Sequence, residues 1–545
     1  MRLIIKDYLL QLKEKDELDL LLCDILLQMG YNINSIPKTG NRQYGVDIQA
    51  NNDNELLLFV VKQGNITRTL WDSNPNSVRQ SLNEILDVYL NTLTLSEKEK
   101  SIKIITITNG YMDETVKPNW SGFINSNKNY SNLNLDFDFW GIDNIVSLTE
   151  KFLLDEHLFD SGMHSNMRKA LYFIEEADYK NTHFEKIIDN YINNLLEIYR
   201  KTNSTNQTND KFIKKCISAL FLATQMIAKY AGSLKRFKTA IQVYEYLLIR
   251  YWRFILITKT WENEMLIDWL IRFCKKYEEW NINYFKCLKD ICNTKYAFPE
   301  YNDVEKRVQL YETINYLTSF CYYLIETNKK AYPSQTILDS IITLINNNQE
   351  FYYAPYDCNV NTIIMLCKLL LISNQPKEAE NLLTNQTKAL MASYLTFKRY
   401  PAPEDSFSEA LDIYMGNSAS EYNTSAFWGT VLLWIGYFNL EDCYNSLKDF
   451  LNIDLSEVTK CTWFLRSNDE KALYEPNAMH TSGEGIAISV KENFSDFVKE
   501  INFIINNYKS EAFSFKEYSF CSLEMIASRY YGNIPTIPNL NKPQQ

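Results

Sequence analysis

The stretch that decides the reading is "GVDIQANNDNELLLFVVKQGNI", Gly45 to Ile66. It holds two strand patterns, "YGVDIQA" and "ELLLFVVKQ", joined by "NNDN", which has hairpin-turn chemistry. The second pattern is almost wholly apolar, as a central strand covered on both faces is. Asp47 stands near the start of this hairpin and Lys62 at its end, so pairing of the two strands brings them side by side. Lys62 interrupts an apolar run. A buried, unpaired ammonium is costly, so this lysine must face a partner or a wet cleft.

The flanks fit an α/β unit. Asp16 to Met29 carries Leu18, Leu21, Leu22, Ile25 and Leu26 at helical spacing, and Gly30 stops it. "YNINSI" alternates as a short strand and "PKTGNRQ" is a polar turn. After "SNPN", Ser77 to Leu93 reads as an amphipathic helix with Val78, Leu82, Ile85, Leu86 and Tyr89 on one face. "IKIITITNG" is a further buried strand that ends in a turn at Asn109-Gly110, and "LNLDFDFWG" alternates again. "IDNIVSLTEKFLLDEHLF" closes the unit with a helix. The expected first domain is residues 1–160.

Asp47 and Lys62 suit phosphodiester chemistry. Cutting such a bond with a metal takes carboxylates at neighbouring strand ends. A lysine nearby steadies the attacking hydroxide or the developing negative charge. A carboxylate or amide two residues before the lysine would share its face, because strand side chains repeat with period two. Here that position is Val60.

In this order of helix, "GY", strand, "GVDI", strand, lysine and helix, the chain resembles the PD-(D/E)xK nucleases. It looks most like the Mrr-type restriction endonucleases, whose motif is Gly-x-Asp followed by Gln-x-Lys. The matching residues are Gly45, Asp47 and Lys62; Val60 departs from the pattern, and Gln63 follows the lysine instead of preceding it. Asp19, on the first helix, falls where the family often carries a helical glutamate, with Glu17 as its neighbouring substitute. The resemblance implies a restriction-endonuclease-like α/β domain, DNA cleavage in prokaryotic defence against foreign DNA, and Mg²⁺ or Mn²⁺ as cofactor. It implies a metal site of Asp47, Asp19 or Glu17 and the Val61 carbonyl, with Asp47, Lys62 and Gln63 as the catalytic set. A bulge in the strand would be needed to rotate Gln63 inward. Arg79 and Gln80, with "QGNITRTLWD", place polar and basic groups at the margin, for phosphates or for loop capping.

Beyond Ser165 the strand signals fade and long amphipathic helices follow: "FEKIIDNYINNLLEIYRK", "KFIKKCISALFLATQMIAKYAG", "RFKTAIQVYEYLLIRYWRFILI" and "VQLYETINYLTSFCYYLIE". "TNSTNQTND" is a polar break, and "NQPKEAENLLTNQTKAL" has a tetratricopeptide-like look without a constant period. An irregular stack of α-hairpins over 165–450 is expected. A helical subdomain over 451–545 should follow, with "CTWFLRS" and "GIAISV" as a short hairpin around "NAMHTSGE" and an extended tail "NIPTIPNLNKPQQ". The aromatic runs "VYEYLLIRYWRF" and "FYYAPYDC" could stack bases, but at helical spacing they read as core.

Composition narrows the classes. The net charge of −11 argues against a surface coated in basic groups for non-specific nucleic-acid binding. The 545 residues include eleven scattered cysteines without a CxxC pair and only four histidines, so zinc-ligand spacing is missing. His480 is a lone loop histidine. There is no P-loop, Rossmann fingerprint or nucleophile elbow. The amphipathic N-terminus and the lack of long apolar runs predict a reduced, cytoplasmic protein with no membrane segment. Two function classes remain. One is a DNA endonuclease whose helical domain senses a trigger or docks a partner protein. The other is a degenerate nuclease-fold scaffold that binds a partner or DNA. An oligomer is compatible with either.

Overall fold

The computed structural model describes residues 2–35, 44–73, 76–128, 130, 133, 135–152, 161–174, 182–205, 210–299, 301, 303–327, 334–353, 357–398, 423–465, 470–476, 483–508 and 521–533. The turn at 37–43, the break at 206–209, His480 and the tail from 534 lie outside them. The chain divides into two compact units, 1–239 and 240–545. The first boundary anticipated from sequence was at 160. Three further helices, α9 (Ser161–Phe173), α10 (Thr182–Thr205) and α11 (Asp210–Ser233), fall in the first unit with the sheet.

The first unit carries a five-stranded mixed sheet in the order β1 (Asn32–Ser35), β2 (Ile48–Asn51), β3 (Glu55–Lys62), β4 (Ser101–Thr108), β5 (Leu135–Trp140). β1, β2 and β3 are antiparallel neighbours; β3, β4 and β5 run parallel. The β2–β3 turn is tied by Asn52, whose side-chain oxygen accepts from the amides of Asn54 (2.9 Å) and Glu55 (2.8 Å).

The long apolar strand is central, as its composition requires. Leu56, Leu58 and Val60 pack into a cluster with Trp71, Val78, Leu82, Ile85 and Leu86. Leu57, Phe59 and Val61 are buried on the opposite face, where the Phe59 ring meets Trp140 edge-on at 5.5 Å. The first face is covered by α4 (Val78–Glu84) and the π-helical turn Ile85–Tyr89 that continues it. Parallel crossovers connect β3 to β4 and β4 to β5, the latter through α7 (Lys117–Asn127).

At the N-terminus, α1 (Arg2–Leu9) leads to a second π-helical turn, Glu14–Leu18, and then to α2 (Asp19–Gln28). Gly30, at φ +89°, ends α2: its own amide donates to the Leu27 carbonyl, and the Tyr31 amide donates to that of Leu26. Helix α8 (Ile142–Phe152) follows β5.

The second unit is mostly helical. Its elements run from α12 (Phe237–Thr258) through α13 (Glu264–Cys292), α14 (Asp303–Glu326), α15 (Ser334–Asn347), α16 (Val360–Ile372) and α17 (Pro376–Phe397). α18 (Ala426–Tyr437), α19 (Glu441–Ile453), α20 (Phe494–Tyr508) and α21 (Cys521–Tyr531) complete it. The stripe from Val243 to Phe254 is core: Tyr244, Tyr246, Tyr251, Trp252 and Phe254 are all buried.

The unit also contains a three-stranded sheet. β7 (Thr459–Leu465) pairs antiparallel with β8 (Gly483–Ala487), which are the "CTWFLRS" and "GIAISV" segments, and parallel with β6 (Thr424–Ser425). The parallel partner lies 35 positions upstream and has only two residues, so local periodicity gives no sign of it. No helix among the described residues is long and apolar enough to cross a membrane.

Candidate functional site

Gly45 sets the approach to β2. It sits at φ +84°, and a Cβ there would come 2.1 Å from the Ser81 carbonyl oxygen of α4. Only glycine fits both constraints. Two residues later, just before the regular β2–β3 pairing begins at Ile48↔Phe59, the Asp47 amide donates to the Phe59 carbonyl at 2.8 Å. Val60 and Lys62 lie on one face of β3.

The Asp47 carboxylate turns back onto the backbone of β3, where its Oδ2 accepts the Val61 amide at 2.7 Å. Burial raises its pKa above the ordinary 3.8; the Lys62 charge and the Val61 amide oppose that, Glu14 adds to it, and Lys15 opposes it. Lys62 is only 7% exposed. Among the described residues its ammonium has no hydrogen bond or ion pair, and its one interaction is the charge it presents to Asp47. Val60 is fully buried in the core cluster.

The carboxylate that acts on Asp47 is Glu14, in the π-helical turn. Sequence reasoning started this helix at Asp16 and missed Glu14; the acidic-basic run "KEKDELD" was the available signal. The two acids chosen from sequence are engaged elsewhere. Glu17 pairs with Lys215 of α11, and its other oxygen accepts the Lys13 amide at 2.7 Å. Asp19 is 4% exposed, accepts the Leu20 amide through Oδ1 at 2.8 Å, and faces Cys23. Burial first, then Asp19 and Asp24, push the Cys23 thiol up to about 12.

The β3–β4 register is unbroken to Lys62↔Thr108, so no bulge turns Gln63 toward Asp47. Gln63 is half-buried and makes no hydrogen bond among the described residues. Of the marginal polar groups, Thr67 caps α3 (Arg68–Asp72) and Asn65 accepts the Tyr111 amide at 3.0 Å. Arg79 and Gln80 are exposed on α4.

Comparison with protein-family models, curated proteins and solved structures finds no match. The chemistry of the site therefore rests on its own residues. Among the described residues no three His, Cys, Asp or Glu side chains converge as a metal-holding group. Asp47 and Glu14 are a two-carboxylate set, and one Asp47 oxygen already serves the Val61 amide. Such a set does not make a closed, all-protein cage. A hard, oxygen-seeking ion such as Mg²⁺ keeps several waters and is commonly held by one or two carboxylates together with substrate phosphates.

Proposed function

We propose that the Asp47–Lys62 face is the working site of a phosphodiesterase that acts on DNA with Mg²⁺ or Mn²⁺. The observation that carries this reading is Lys62: a buried ammonium with no acceptor among the described residues, at the end of a central strand and beside the half-buried Asp47 carboxylate. Asp47, with Glu14, would hold the ion, and the ion would supply charge neutralisation at the scissile phosphate. The chain's own contribution is positional. The Val61 amide orients the Asp47 carboxylate. Lys62 offers a desolvated positive charge to a phosphate oxygen, where the low dielectric strengthens the interaction. The helices beyond the sheet would supply a trigger or a partner contact. The ion pair from α11 to Glu17 is one physical route by which helical packing reaches the turn that carries Glu14.

A second reading has its own support. Val60 fills the place of a ligand and is sealed into the core. In this reading the sheet domain is an inactive scaffold that docks DNA or a partner protein. Incubating the purified intact chain with plasmid DNA and Mg²⁺ or Mn²⁺, beside Lys62→Met, separates the two. Cutting by the wild type alone supports the enzyme. Cutting by neither, under every condition tried, supports the scaffold.

A further inference from the structure

Asn109 reads in sequence as the first residue of an Asn-Gly turn. Its side chain is instead an internal tie. It is 1% exposed and makes three hydrogen bonds to segments far apart in the chain. Its Oδ1 accepts the Gly64 amide at 2.8 Å. Its Nδ2 donates to the Leu9 and Leu12 carbonyls, both at 2.9 Å. Only the amide fits this arrangement: one acceptor meets one N–H, and two donor hydrogens meet two carbonyls.

The tied segments are the two arms of the site. Gly64 lies two residues after Lys62, and Leu12 lies two residues before Glu14. The next residue tightens the knot. A Cβ on Gly110 would come 2.4 Å from the Gly64 carbonyl group, so the loops after β3 and β4 touch backbone to backbone. Beyond them Ile66 and Met112 form an isolated parallel bridge, with the Ile66 amide bonded to the Tyr111 carbonyl at 2.8 Å.

We propose that Asn109 is a positioning residue, which locks the Lys62 arm and the Glu14 arm into the one arrangement in which both act at Asp47. The part about catalysis rests on the phosphodiesterase reading; the lock itself does not. Asn109 touches no reacting group in this account and works through backbone it holds. Asn109→Asp is the sharpest perturbation. It keeps the acceptor for Gly64 but turns a carboxylate toward two carbonyls, so the α1 end is released while the Lys62 loop keeps its bond.

The test is hydrogen–deuterium exchange on the intact chain, comparing wild type, Asn109→Asp and the core control Ile104→Val. The lock predicts about tenfold or greater acceleration across residues 12–18, with β4 and β5 protected as before. Unchanged exchange in 12–18, or acceleration spread evenly over the sheet as in the control, overturns it. If Asn109→Asp does not fold, Asn109→Ala removes the bonds without burying a charge and is read in the same way, with acceleration then expected at Gly64 as well. Where the wild type cuts DNA, the same variant should lose kcat by about a hundredfold with KM little changed, since a misplaced group costs on that order. A rise in KM alone would mean that Asn109 serves DNA binding instead. Absence of cutting by the wild type removes the phosphodiesterase reading and leaves the exchange result to decide the lock.

Discussion

Buried cations occur in both units of the molecule, and they are treated differently. In the second unit Lys368, 4% exposed in its side chain, meets Glu524 at 3.3 Å. Arg529 pairs with the fully buried Glu245 and lies 3.7 Å from the centre of the Tyr316 ring. Lys460 gives its hydrogens to the Leu451 and Leu455 carbonyls at the end of α19. Each meets an acceptor group of the fold, with burial still lowering the pKa of Lys460 and Arg529, and each ties one element to another. In the first unit Lys62 is as buried as these, yet among the described residues it has only the field of Asp47. These structural cations have a partner within the fold. A cation left without an acceptor at a strand end is available to something outside the fold, and under the proposed function that acceptor is a phosphate oxygen.

The contrast is open to direct attack. The largest expected effect lies in the second unit. Lys368→Ala takes from the buried Glu524 its cationic partner, so denaturant unfolding should show a loss of about 3–5 kcal/mol. A loss below about 1 kcal/mol would mean that the pair is wetter than its burial implies. Lys62→Met should do the reverse: stability within about 1 kcal/mol of wild type or above it, because a poorly satisfied buried charge is replaced by an apolar chain of similar length. Large destabilisation by Lys62→Met would place Lys62 with the structural cations and break the comparison.

Smaller effects sharpen it. Glu14→Gln should weaken Mn²⁺ binding, followed by titration calorimetry, by about tenfold, and Asp19→Asn should leave it unchanged, since Asp19 faces Cys23. Equal losses from the two would return the metal role to the acid first favoured by sequence. Smallest is a pH effect. The folded Asp47 carboxyl titrates above its ordinary 3.8, so the native state binds the extra proton in the window above that value. Stability contributed by this group therefore falls as pH rises through the window. Asp47→Asn removes the dependence and should gain stability relative to wild type on going from pH 4 to neutrality; a relative loss would reverse the sign of the shift.

Much of the first unit was legible in the sequence because each element carries its own period. The apolar "LLLFVV" run demands cover on both faces, and Asn52 and Gly30 mark a turn and a helix end that local chemistry dictates. The nearness of Asp47 to Lys62 follows from the hairpin that joins their strands. Glu14 was not legible. A π-helical turn shifts the side chains relative to the regular helical repeat, and Glu17 and Asp19 were drawn from the resemblance to the nuclease family rather than from their own surroundings. Glu17, moreover, is claimed by Lys215, almost two hundred positions away, and no local pattern announces that pair. Asn109 was hidden for the opposite reason. Asn-Gly is so strong a turn signal that it masks a side chain bonded to residues 97 and 100 positions distant.

The central claim is that Lys62 serves chemistry rather than the fold, and cleavage of supercoiled plasmid DNA by the intact chain tests it most directly. Wild type and Lys62→Met are incubated with Mg²⁺ or Mn²⁺ after their unfolding curves have been matched. The account predicts that wild type converts the plasmid to nicked or linear product and that Lys62→Met, equally folded, does not. Equal cutting by both proteins would contradict it.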